Sequence, residues 1–209
     1  MNKFENRDCV QGMKEYPDNH FDLAIVDPPY GIGDFYMKTS GGIVKGKCNS
    51  MPVEWNDNIP GLDYFSELKR VSKKRIIWGA NYYNTFDPGG ALVWYKNIGH
   101  KSLSQCEIAS LSFKRSVDYY EFKKLGGFCS KEIYIHPCQK PVEIYIYCLN
   151  NYAKPGNLIL DTHVGSASSL IACEKMDFNY VGYELDTDYY NAAQQRLKEF
   201  RMQTDLFKD

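Results

Sequence analysis

Apolar residues along this chain fall into short unbroken runs, separated by segments with helical spacing. Leu23-Ala24-Ile25-Val26 is four consecutive apolar residues between Asp22 and Asp27, and it stops at Pro28-Pro29. A run with no polar alternation predicts a strand covered on both faces, as in a parallel sheet. Similar runs predict strands over 75–78, 91–95, 107–113, 157–161 and 180–183. Leu62, Phe65 and Leu68 recur at helical spacing and predict a helix over 62–71. Pro141 opens a helix that runs to about Tyr152, because a first-turn proline loses no hydrogen bond. A further helix covers 168–175. Asp186 caps the last one, which places Tyr190, Ala193, Leu197 and Phe200 on one face. Strands alternating with helices predict an α/β fold with a mostly parallel sheet.

Two stretches break this pattern. Residues 32–58 are rich in Gly, Lys, Asn and Ser and read as a long loop, a kind of segment that is often functional. The stretch 97–135 is basic and reads as an irregular insertion rather than core. From Lys96 to Lys140 the chain carries eight Lys or Arg against four Asp or Glu. Since the whole chain has a net charge of only −1, any polyanion must meet such a local patch. Lys114, Arg115, Lys123 and Lys124, set among Tyr119, Tyr120 and Phe122, are the candidate phosphate contacts. The 209 residues suit one domain. Seven cysteines, an odd number with no CxxC pair, point to free thiols in a reducing compartment and to no metal site. No apolar run is long enough to span a membrane, so the expectation is a soluble, cytoplasmic protein.

The chemistry concentrates at strand ends. Asp27-Pro28-Pro29-Tyr30 places a carboxylate where a buried strand stops. The prolines have no N–H and cannot extend a ladder, which leaves the Pro28 carbonyl as a second acceptor. Tyr30 offers a ring on which a flipped-out base can stack. Those features suit a base amino group, a poor nucleophile whose hydrogens must be held by acceptors. In the second constellation a strand ends at Asp161, a small-residue turn follows (His163, Gly165, Ser166, Ala167), and a helix begins at Ser168. The next strand ends at Glu184, where an acid can bind ribose hydroxyls. Without GxGxxG, the turn suits a cationic amino-acid nucleoside better than a dinucleotide.

In this order, with His136-Pro137-Cys138-Gln139-Lys140-Pro141 between the two constellations, the chain resembles the β-class DNA amino-methyltransferases. The resemblance covers nearly the whole chain. It implies a Rossmann-like sheet flanked by helices, with one antiparallel strand and inserted loops for DNA. It also implies S-adenosylmethionine (AdoMet) as cofactor and the N6 amino group of adenine in DNA as acceptor. Asp27, Pro28, Pro29 and Tyr30 become the catalytic set of a half spanning 1–113. The cofactor set is Asp8, Cys9, Lys140, Asp161, His163, Gly165, Ser166, Ser168 and Glu184, mostly in a half spanning 136–209. Family members often pair, so a homodimer is among the expectations. The chain departs from the family turn at Thr162 and His163, where Pro and Phe are usual. It departs again at Ala167, which replaces a glycine and is expected to take a negative φ. Cytosine N4, an RNA substrate and a catalytically silent AdoMet- or DNA-binding subunit stay open as alternatives.

Overall fold

The computed structural model describes residues 2–31, 59–86, 88–98, 104–123, 135–136 and 138–205. The 32–58 loop, Lys124 and much of the 97–135 stretch lie outside the described residues. Within them, eight strands form one sheet in the order β1-β8-β7-β2-β3-β5-β4-β6. These are β1 (Asn2–Asn6), β2 (Leu23–Val26), β3 (Arg75–Trp78), β4 (Gly90–Tyr95), β5 (Cys106–Leu111), β6 (Val117–Glu121), β7 (Leu158–Asp161) and β8 (Asn179–Glu184). The five strands from β1 to β3 pair in parallel. β5 runs antiparallel to both β3 and β4, and β6 pairs in parallel with β4.

The unbroken apolar runs work as expected, because each feeds two cores. Leu23 and Ile25 of β2 pack into one cluster with Val142, Cys148, Leu170 and Leu197. Ala24 and Val26 point the other way, into a cluster with Met13, Tyr64 and Leu68. The first cluster is closed by α4 (Val142–Tyr152), α5 (Ser168–Lys175) and α6 (Thr187–Asp205), the second by α1 (Cys9–Met13) and α2 (Leu62–Val71). One short helix, α3 (Ala80–Tyr83), follows β3. Alternate residues on opposite faces follow from the two-residue period of a strand.

The structure corrects three expectations. The stretch after β5 is not wholly irregular: Val117–Glu121 forms β6 at the sheet edge, fixed by the register Ala91↔Val117 to Tyr95↔Glu121. Leu62 is not on the buried face of α2, being 87% exposed; Tyr64, Leu68 and Val71 are the buried ones. An i, i+4, i+7 stripe competed with an i, i+3, i+6 stripe, and the aromatic ring of Tyr64 won the core. Third, Ala167 has φ +63°, in the left-handed region.

Ala167 is held there by its place. It caps α5, its N–H donates to the Val164 carbonyl at 3.0 Å and its carbonyl accepts from Ile171 at 2.9 Å. A non-glycine residue in this region costs about 1–3 kcal/mol. Ala167→Gly relieves that strain and loses only one buried methyl. The expected gain is about 1 kcal/mol, or roughly 2–4 °C in Tm for a chain of this size. A calorimetric melt with Tm unchanged or lowered would show that the turn carries no strain.

Candidate active site

Four neighbouring parallel strands, β1, β8, β7 and β2, each deliver an acid at or just beyond their C-terminal end: Asp8, Glu184, Asp161 and Asp27. In an open parallel sheet, that end is where ligands bind. Here the rim gathers negative charge, which suits a cationic ligand.

On the β7–β8 side, Glu184 organises the turn. Its Oε2 accepts from Gly165 N–H at 2.8 Å and its Oε1 from Asp186 N–H at 2.9 Å. Gly165 suits its place by its φ of +53°, which side chains rarely adopt; the His136 ring lies at ordinary contact distance. Asp161 is buried and accepts from Ser169 Oγ at 2.5 Å and His163 N–H at 3.0 Å. Burial, reinforced by the charges of Asp27 and Glu184, pushes its carboxyl up to about 7. Burial likewise raises the Glu184 carboxyl. Carboxyls that hold protons this tightly favour a cation placed between them. Asp8 caps α1 through a 2.9 Å bond from Gln11 N–H.

The other predicted cofactor residues divide. Cys9 packs in the second core, its thiol pushed up to about 12 by burial. Ser166 and Ser168 are tied together at 3.1 Å and clamped by Arg196, which donates to the Ser166 carbonyl and to Ser168 Oγ. These three side chains therefore build the turn from behind. His163 forms a chain with the residue that replaces the usual proline: Tyr64 Oη and Thr162 Oγ1 are 2.7 Å apart, and Thr162 Oγ1 lies 2.9 Å from His163 Nδ1. Burial lowers His163 to about 4.

A pH effect on stability follows. In the unfolded chain this imidazole titrates near about 6.5. Its lowered folded value means that the neutral form stabilises the fold above that pH, and the contribution is lost as pH falls toward 4. Replacing His163 by Phe should therefore make stability less steep by one proton, about 1.4 kcal/mol per pH unit between pH 4.5 and 6. Denaturant melts across that range give the slope, and parallel curves for the two proteins would contradict the assignment.

On the β2 side, Asp27 is fully engaged. Tyr30 Oη donates to its Oδ1 at 2.6 Å and Lys140 Nζ to its Oδ2 at 2.5 Å. Lys140 is 4% exposed and also reaches Tyr30 Oη at 3.0 Å. The structure thus places Lys140 on the Asp27 carboxylate rather than at the Asp161–Ser168 turn. The carbonyls of Pro28 and Pro29 both accept from Tyr83 Oη, so the Pro28 acceptor is already in use. The Tyr30 ring stacks on Tyr82, with centroids 4.8 Å apart at 16°, which covers one of its faces. It also lies so close to Gly79, at φ +74°, that any side chain there would strike the ring. Tyr82, at 41% exposure, carries the accessible aromatic surface.

The predicted phosphate contacts do not form one patch. Lys114 is paired with Asp118 at 2.7 Å, and Arg115 is exposed beside it. Because β5 runs antiparallel, the turn joining it to β6 lies at the end of the sheet opposite Asp27. Only Lys123, exposed just after β6, comes out at the Asp27 end. Lys124 lies outside the described residues.

Tyr64, Tyr82, Tyr83, Glu107 and Lys96 were missed from sequence. One available signal was Glu107, a lone acid inside the apolar run of β5, since a charge is rarely buried without a partner.

A Rossmann-like sheet with an acid-lined nucleoside turn beside a DPPY carboxylate defines a nucleotide-modifying methyltransferase class. The comparisons agree. Residues 93–195 match the family model described as DNA methylase, of the N6/N4 type. The chain is 26% identical to YubD of Escherichia coli (strain K12) over 215 residues, covering 94% of this chain and 90% of that one. It is 21% identical to the Type II methyltransferase M.HpaI of Haemophilus parainfluenzae, covering 90% of this chain and 72% of that one. Among solved structures, M1.HpyAVI in complex with SAM superposes with a TM-score of 0.56 at 16% identity, covering 94% of this chain and all of that one. Over these spans the chain is similar to the N6/N4 DNA methyltransferases.

Proposed function

We propose that this chain transfers the methyl group of AdoMet to the N6 amino group of adenine in DNA. The observation that carries the reading is the Asp27 carboxylate, fixed at the end of β2 next to the acid-lined turn. The turn fits the cofactor by its chemistry. Glu184 can take ribose hydroxyls while still holding Gly165, and Asp161 and Asp8 complete an anionic rim for an ammonium and a sulfonium. When bound, AdoMet supplies an electrophilic methyl group on a sulfonium centre. The chain's own work is positioning and electrostatics. Asp27 accepts the hydrogens of the amino group, which frees its lone pair for in-line attack, and then takes the proton that the methylated amine must lose. Tyr30 fixes Asp27 through its hydroxyl, and the Tyr30–Tyr82 pair flanks the base. A carboxylate at the head of the motif favours adenine; the family's cytosine-N4 enzymes more often place Ser there. The test is to incubate the purified chain with unmethylated DNA and tritiated AdoMet, then digest the product to nucleosides. N6-methyladenine supports the reading, N4-methylcytosine moves the acceptor, and no labelled nucleoside refutes methyl transfer to DNA.

A further inference from the structure

Lys140 is shared between two carboxylates. One is Asp27; the other is Glu107 on β5, whose Oε2 lies 3.0 Å from Nζ. Lys96, just after β4, holds Oε1 of Glu107 at 2.6 Å. The result is an alternating row, Lys96–Glu107–Lys140–Asp27, largely withdrawn from water: Lys140 is 4% exposed, Lys96 15% and Glu107 20%. Only Asp27 belongs to the motif that contacts the base.

The row poses a problem that it also solves. Lys140 at Oδ2 and Tyr30 at Oδ1 each fill one acceptor site of Asp27, so an arriving base amino group shares the carboxylate with the ammonium and weakens the Lys140–Asp27 contact. A buried ammonium that loses its only anion is strongly destabilised. Here Glu107 already touches it, and Lys96 keeps Glu107 turned toward it. We infer that Glu107 is a positioning residue, which receives the Lys140 ammonium when a base engages Asp27. The inference rests on the methyltransferase reading of Asp27. Among the described residues, the groups around Lys140 include Tyr30 beside Asp27, Tyr83 on α3, Tyr145 on α4 and His136 ahead of it, while Asp161 couples to Asp27 from β7. Among these groups the phenols are pushed up and the imidazole down by burial, so phenols and imidazole are neutral near pH 7 and neither offers Lys140 another anion.

Glu107→Gln removes the receiving anion without changing size. The base must then weaken the Lys140–Asp27 contact with no second anion on the ammonium, so KM for DNA should rise about ten- to a hundredfold, with kcat changed far less. Adding Lys140→Met to Glu107→Gln should bring KM back down, because no cation then shares Asp27 with the base; a residue that merely supports the fold would not be rescued this way. Glu107→Asp should fall between wild type and Gln, and it carries the test if the Gln variant melts near assay temperature. The experiment measures initial rates of tritium transfer from AdoMet to unmethylated plasmid DNA for all four proteins. Wild type that transfers methyl with Glu107→Gln at unchanged KM, or a double variant no better than Glu107→Gln, overturns the role of Glu107 alone. Wild type that transfers nothing overturns the methyltransferase reading and this inference with it.

Discussion

Asp27→Ala is expected to lower methyl transfer by at least a hundredfold and toward ten-thousandfold, the usual range for a group that handles a proton in the transition state. AdoMet affinity should stay within a few-fold of wild type, because Glu184, Asp161 and Asp8 hang from β8, β7 and β1, not from the loop after β2. The structure adds a cost. Without Asp27, the buried Lys140 loses its shortest contact but keeps Glu107, so the cost falls below the roughly 3–5 kcal/mol of leaving a buried charge unpaired. The Ala variant must therefore be checked by melting, and transfer measured well below its Tm. Near-normal turnover by a folded Asp27→Ala protein, with calorimetry showing normal AdoMet binding, would remove Asp27 from the chemistry.

What the sequence made legible was whatever depends on chain-local pattern. The run from Leu23 to Val26 needed two covered faces and has them, with alternate residues in the two cores. Asp186 caps α6 through bonds from the N–H groups of Asp188 and Tyr189, and Ala193 and Leu197 are buried as the helical spacing required. β1 and α1 were missed. Both are five residues long, and β1 is an edge strand with no fully buried residue, so periodicity had nothing to register. β6 was passed over because Val117, Tyr119 and Glu121 are exposed along an edge. A local basic count suggested one patch, whereas strand direction separates Lys114 and Arg115 from Lys123.

The site was legible in its acids and opaque in what those acids touch. The motifs named Asp27, Asp161 and Glu184, which the structure brings to one rim of the sheet, but they set Lys140 beside the cofactor turn, because its contact with Asp27 joins residues 113 positions apart. Tyr83 on the Pro28 carbonyl and Tyr64 on Thr162 are likewise long-range contacts. Thr162 and His163 stood out in sequence only as departures from the family's Pro and Phe. With Tyr64 they form a hydrogen-bonded row that fixes the imidazole, so polar bonds replace the packing that a Pro-Phe pair would supply.

Glu184→Ala should produce the second large effect, a ten- to hundredfold loss of AdoMet affinity, equivalent to the roughly 1.5–3 kcal/mol of charge-assisted hydrogen bonding removed. Two causes contribute. The carboxylate no longer meets the ribose, and the Gly165 and Asp186 N–H groups lose the acceptor that shapes the turn. Glu184→Gln separates them. Its amide oxygen can still accept from one N–H, but the charge is gone, so the variant should recover part of the melting temperature and little of the affinity. The pH dependence gives an independent check. Asp161 is pushed up to about 7 and Glu184 is raised as well, so both give up protons more readily when a cation binds between them. In wild type, affinity should climb as pH rises through about 7 and level off above it. With Glu184→Gln the climb should persist, because Asp161 still titrates, but from a weaker baseline. Calorimetry from pH 5.5 to 8.5 in buffers of different ionisation enthalpy reads both affinity and protons released. Unchanged affinity in Glu184→Ala would move the ribose contact to another acid on the rim, and a flat wild-type profile would mean that these carboxyls do not face the cofactor's charge.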